Sequence, residues 1–229
     1  MADALRATAL GHAGAGDGQP VRRLSANERR QQLFAVALEL FADHGYRSTT
    51  MDDIAEAAGV TKPLVYQHFS SKRALYLELV ESVSHELLLA IATATATAVG
   101  PRQQVEFGFA AYFRMVVTHE AAFRLLYGRE DADDTELGDA MRQVEDAIAE
   151  AIDPLIDAGL EPEHRRFLAY AVVGMAEGAS RQWLDRRSAA VQSGENGRGV
   201  ALDHDGEAVQ LAGRLADFAW AGLRSVHAD

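Results

Sequence analysis

Eight residues between positions 49 and 72 stand where a chain could meet nucleic acid: Thr49, Thr50, Lys62, Pro63, Tyr66, Gln67, His68 and Lys72. Most carry hydrogen-bond donors, and their chemistry is recognition. Gln67 can bond a base edge, and Lys62 can reach phosphate or guanine. Tyr66 can donate its hydroxyl to a phosphate or press its ring on a sugar edge. His68 is either a phosphate donor or a turn residue. Thr50, at a helix start, can aim a hydroxyl and free N–H groups at phosphate, cap the helix, or do both. Lys72, at the next helix start, is a candidate phosphate clamp.

Such donors need a rigid element to present them. Ile54, Ala55 and Ala58 give a short helix one packed face. Gly59 follows, where positive φ can stop the helix without a Cβ clash. Val60 plugs the corner, Thr61 is a good N-cap for a second helix, and Pro63 suits its first turn. Leu64, Val65 and Phe69 then face the core. Ala55, Gly59 and Val65 fall at positions 5, 9 and 15 of a unit starting at Met51. The spacing predicts a helix-turn-helix whose second helix can enter the major groove. The alternative is a helical hairpin with no DNA role. Upstream, Leu33, Phe34, Ala37, Leu40 and Phe41 form a helical face, with a Ser25–Glu28 capping box before it and Gly45 at its end. Downstream, Ser70 or Ser71 can cap a fourth helix.

The segment from Arg29 to Tyr76 resembles the DNA-binding domain of the tetracycline-repressor (TetR) family of transcription regulators. The matching residues are Gly45-Tyr46, Thr49-Thr50, Ile54-Ala55, Ala58-Gly59-Val60, Leu64, Tyr66, Phe69, Lys72 and Leu75. The family often has a small residue where Pro63 stands, and a first helical turn tolerates proline. The resemblance implies DNA roles for Thr50, Tyr66 and Lys72. It also implies a homodimer, a small-molecule effector, and repression, although some relatives activate.

Across the 229 residues the formal net charge is −12. Residues 22–76 carry eight basic and six acidic side chains, a net of +2, and the remainder carries a net of −14. Only the basic end should dock on DNA, with strong salt dependence. There is no cysteine, so disulfides and thiolate chemistry are excluded. No apolar run approaches the length of a membrane span. Residues 1–22 lack the apolar core of a signal peptide and read as a disordered tail, with Arg22 and Arg23 as an alternative basic arm. The expected location is cytoplasmic, with no membrane partner and no cofactor. The expected fold is all-α: a three-helix helix-turn-helix domain over 23–76 and a larger helical bundle over 77–229.

Beyond Lys72 the pattern is helical throughout. Expected helices run over 72–97, 102–118, 121–127 and 136–152, the last with a kinked continuation past Pro154 to Gly159 as an alternative. Two long helices follow, over 162–187 and 206–225, separated by a loop over 188–205. Phe107, Phe109, Tyr112, Phe113, Phe123, Tyr127, Met141 and Trp183 are candidate walls of an effector cavity. An aromatic stripe at helical spacing serves equally as core. Phe167, Ala171, Gly174, Met175 and Gly178, with Ala212, Ala216 and Ala219, are candidate dimer contacts; small residues permit close helix approach, and two helices from each subunit would make a four-helix bundle. Their alternative is packing inside one chain.

The eight histidines show no metal-ligand spacing, and no Gly-x-Ser-x-Gly elbow or phosphate loop is present. Glu130, Asp131, Asp133 and Asp134 are dense enough to suggest Ca²⁺ but lack a calcium loop's glycine and terminal glutamate. An enzyme is not expected. The expectation is a sequence-specific regulator on a palindromic double-stranded operator, released by a small hydrophobic effector. The alternative is a helical ligand-binding or interaction protein without specific DNA binding.

Overall fold

A computed structural model of the chain describes residues 24–127, 135–156, 159–192 and 204–226. The expected tail with Arg22 and Arg23, the acidic segment 128–134 and most of the expected 188–205 loop lie outside those residues. The described residues are all-α, with no strand, and fall into two compact units dividing between Leu79 and Val80. No helix among them is long and apolar enough to cross a membrane.

The first unit begins with α1 (Ala26–Ser48). Its start is fixed reciprocally: the Glu28 N–H donates to Ser25 Oγ at 3.2 Å and the Ser25 N–H to Glu28 Oε2 at 2.8 Å. Leu33, Ala37 and Phe41 recur every four residues and are buried. Gly45, at φ 77° and ψ 162°, breaks the helix, leaving a last short turn to Ser48. Next come α2 (Met51–Ala57) and α3 (Lys62–His68), seven residues each. Helices this short are not stable alone, so their ends must be held. The α2 end forms a Schellman turn, with Val60 N–H on Ala55 O at 2.9 Å, Gly59 N–H on Glu56 O at 3.0 Å, and Gly59 at φ 65°. Gln32 of α1 donates to Ala58 O at 3.2 Å. Thr61 occupies the N-cap of α3 but makes no side-chain cap bond, contrary to expectation. Its carbonyl accepts from Leu64 N–H instead.

The helix α4 (Lys72–Thr95) runs through the division, and α5 (Pro101–Thr118), α6 (Glu120–Tyr127), α7 (Thr135–Ile152), α8 (Pro162–Gln192) and α9 (His204–Leu223) complete the second unit. Pro154 converts the end of α7 into a 3-10 turn, Asp153–Leu155, rather than a kinked continuation. Residues 188–192, expected in a loop, extend α8. Packing is densest between α5 and α9, with α7 against α8. Ala208, Ala212, Ala216 and Ala219 of α9 are buried within the chain. The expected dimer contacts Ala212, Ala216 and Ala219 are therefore corrected: small side chains let α9 settle closely on its own α5. Phe167, Ala171, Gly174 and Gly178 lie on the outer face of α8 as a stripe, with Met175 half-buried beside it. Arg187 ties three helices together, with Nε 3.2 Å from Glu120 and a terminal nitrogen 3.2 Å from Glu207.

Candidate DNA interface and ligand cavity

Thr50 sits at the α2 N-cap in an exposed capping box: its Oγ1 accepts from Asp53 N–H at 3.2 Å, and Asp53 Oδ2 accepts from Thr50 N–H at 2.8 Å. The Thr50 hydroxyl donates to the same carboxylate at 2.8 Å. That bond, then the backbone N–H, holds the Asp53 pKa below the usual carboxylate range. On α3, Val65 is fully buried and Phe69 stacks on Phe34 at 6.1 Å. This anchoring leaves Lys62, Pro63, Tyr66 and Gln67 exposed, Tyr66 at 45%. His68 is half-buried, its ring 6.5 Å from that of Phe69. Lys62 Nζ pairs with Asp52 Oδ2 at 2.7 Å, which raises the lysine pKa. Asp52 thus stands among the α3 donors, although the sequence reading did not single it out.

Two residues expected on this face have structural duties. Thr49 is 1% exposed, with its hydroxyl oxygen 2.9 Å from Gly45 O and 3.2 Å from Leu40 O. It secures the break in α1 and is not open to DNA. Lys72 Nζ donates to Tyr46 O at 2.7 Å and Thr49 O at 2.8 Å, and lies 4.2 Å from the Tyr46 ring centre. A lysine so bound closes the carbonyl end of α1.

The second unit holds a cavity of about 270 Å³. Its walls come from α4 (Ile91, Thr95), α5 (Val105, Phe109, Tyr112), α6 (Tyr127), α7 (Ile148, Ile152), α8 (Val172, Val173, Ala176) and the α9 end (Trp220, Leu223). Of the eight expected wall residues, Phe109, Tyr112 and Tyr127 line it. Phe107, Phe113, Phe123, Met141 and Trp183 do not. Phe113, Phe123 and Trp183 are buried core, and Tyr112 meets Phe113 and Phe123 edge-on at 5.2 and 5.5 Å. Phe107 and Met141 are half-buried elsewhere on their helices. The aliphatic wall residues were missed, since nothing in a sequence distinguishes an isoleucine beside a void from one in a core.

Polar groups gather around two of the wall residues, Tyr112 and Tyr127. Ser180 Oγ lies 2.8 Å from Ala176 O and 3.1 Å from Tyr112 Oη, and Tyr112 Oη lies 3.5 Å from Tyr127 Oη. Burial pushes the Tyr112 phenol up to about 12 and raises Tyr127 as well. Burial, then the neighbouring Glu145 charge, pushes the Glu177 carboxyl up to about 7 against the pull of Arg181. No cluster of metal-ligating side chains occurs among the described residues.

This geometry has counterparts among known proteins. Residues 33–79 match the family described as bacterial regulatory proteins, tetR family, and residues 101–222 match the tetracyclin repressor-like C-terminal domain. The HTH-type transcriptional activator FasR of Mycolicibacterium smegmatis is 31% identical over 93% of this chain and 90% of its own length. The HTH-type transcriptional regulator AcrR of Shigella flexneri is 46% identical over 24% of this chain and 26% of its own. Solved structures share the fold. FadR of Bacillus halodurans has a TM-score of 0.71 at 16% identity, covering 89% of this chain and 99% of that one. FadR of Bacillus subtilis, in complex with stearoyl-CoA, has 0.66 at 14% identity, covering 83% and 97%. A helix-turn-helix with an exposed reading helix, a helical bundle with a cavity, and similarity along almost the whole length lead to one assignment: the chain belongs to the TetR family of bacterial transcription regulators.

Proposed function

We propose that this regulator acts as a homodimeric repressor on a palindromic operator and releases it when a small apolar effector fills the cavity. The observation that carries this reading is the cavity itself, about 270 Å³ with a largely aliphatic lining. An aliphatic chain suits such a wall, at about 0.8 kcal/mol per buried methylene. The stearoyl-CoA held by a protein of the same fold supports an effector of that character. Ile91 and Thr95 in the wall share one continuous helix with Lys72, which closes the end of α1. An effector that shifts α4 would therefore act on the reading unit through the backbone. FasR is named an activator; we read repression here because a dimer seated over a promoter excludes polymerase with no further contact.

The proposed DNA contacts are Thr50, Lys62, Pro63, Tyr66, Gln67 and His68. One module touches too few base pairs for high specificity, and a two-fold dimer doubles them. Phe167 and Phe218 are each 69% exposed, and a Cβ added at Gly174 or Gly178 would meet nothing within 4 Å. Nothing among the described residues requires glycine there, and close approach of a second copy's helix is a reason for it. We place the dimer contact on this outer face of α8, joined by Val209 and Phe218 of α9.

The test is fluorescence anisotropy on the duplex upstream of the chain's own gene, beside a shuffled duplex, across a salt series. Tight, salt-sensitive binding to the upstream duplex alone, lost in Tyr66→Ala, is expected. Equal binding to both duplexes, or none, favours a helical binding protein without an operator there. Gly178→Arg should give monomers by light scattering, and a persistent dimer would move the interface elsewhere.

A further inference from the structure

The cavity offers one feature that aliphatic burial does not explain. Two tyrosine hydroxyls from different helices meet at its wall, and their proton count is unbalanced. The Ala176 carbonyl has no proton to give, so at 2.8 Å the Ser180 hydroxyl donates to it. Ser180 Oγ then accepts, and Tyr112 donates to it at 3.1 Å. The Tyr112 oxygen is left as an acceptor, and its remaining neighbour is Tyr127 Oη at 3.5 Å, the outer limit of a hydrogen bond. The chain of donors thus runs Tyr127, Tyr112, Ser180, Ala176, and its first proton is the one poorly satisfied. A weakly bonded donor on a residue that lines a mostly apolar void can act as a recognition element, because such a group gains most from a well-placed acceptor.

We propose that Tyr127 donates its hydroxyl proton to a neutral acceptor oxygen on the effector, so that the cavity takes an aliphatic molecule bearing a ketone, ester or thioester carbonyl. This rests on the cavity being the effector site, as argued above. Burial, then the neighbouring Tyr112, Glu177 and Glu145, keeps the Tyr127 phenol protonated and therefore a donor. Thr95 is no rival donor, since its hydroxyl already serves Ile91 O at 2.9 Å; Gln104 and Arg224, which also line the cavity, are other side chains able to donate.

The experiment uses the full chain with nonane and 2-nonanone as probes, read by tryptophan fluorescence. Trp220 lines the cavity and the chain's other tryptophan, Trp183, does not. Tyr127→Phe keeps the ring that packs on Phe123 at 5.8 Å, so the fold is preserved. In Tyr127→Phe, 2-nonanone should bind about fivefold more weakly, the size of one net hydrogen bond, while nonane stays within about twofold. Tyr112→Phe removes the competing acceptor and leaves the Tyr127 proton free, so 2-nonanone should bind at least as well as in the parent. Unchanged 2-nonanone binding in Tyr127→Phe, or an equal loss in Tyr112→Phe, overturns the assignment. Failure of both probes to bind the parent would instead sink the effector reading of the cavity.

Discussion

The two units use polar side chains differently. In the unit ending at Leu79, side chains attend to helix ends: Ser25, Gln32, Thr49, Thr50 and Lys72 each bond a backbone group that a helix leaves open. In the unit beginning at Val80, polar side chains cluster with one another: Tyr112 with Tyr127 and Ser180, and Glu177 with Glu145 and Arg181. Length explains the difference. Seven-residue helices cannot hold themselves, so α2 and α3 need their ends fixed, whereas the longer helices around the cavity, such as α5 with 18 residues and α8 with 31, are held by packing along their sides. The helix-turn-helix is held by caps, and the cavity is a gap left in side-to-side packing.

The largest test of this contrast lies within α5. Phe113 is fully buried and does not line the cavity, so Phe113→Ala should cost about 3–5 kcal/mol in urea unfolding. Phe109→Ala enlarges a void already present and should fall at or below the low end of that range. Equal losses would mean that the cavity wall is packed like the core. Next is Lys72→Met, which leaves the Tyr46 and Thr49 carbonyls without their donor and should cost about 1–3 kcal/mol. Amide exchange in α2 should quicken while that in α8 does not. Thr50→Ala should cost about 1 kcal/mol, with Thr50→Ser restoring most of it. Because the folded state depresses the Asp53 pKa, this cap is fully formed above the ordinary carboxylate range and weakens as pH falls through the depressed value.

The smallest effect separates the units by pH. The folded state raises Glu177 from 4.5 to about 7, so between those values the native chain binds a proton that the unfolded chain does not. Its contribution is full at low pH and is lost as pH rises through that window. Glu177→Gln should flatten the decline of stability from pH 5 to 7, and an unchanged slope would place the titration elsewhere.

The reading unit was legible in the sequence because its conformation follows from local chemistry. Gly59 needs positive φ, Ser25 and Thr50 need an acid three residues on, and Val65 needs an apolar neighbour. What was not legible there is that Thr49 and Lys72, polar beside a DNA-reading motif, bond carbonyls of α1, for Lys72 one 26 residues upstream. The cavity was only partly legible. Tyr112 and Tyr127 stood out as aromatics, but Ile91, Ile148 and Ile152 repeat at the spacing that any core helix shows. The alanines of α9 announced close approach without naming the partner, which proved to be α5 of the same chain.

Lys62 and Lys72 are the chain's two lysines, and they live differently. One sits in an exposed ion pair with Asp52, while the other is fastened to two carbonyls and an aromatic face. An amine-directed reagent therefore meets a built-in internal standard: modification at Lys62 reports whether the groove-facing helix is covered, and modification at Lys72 reports whether the unit is still folded. Mass spectrometry of two peptides would turn occupancy of the DNA face and integrity of its scaffold into separate numbers from one sample.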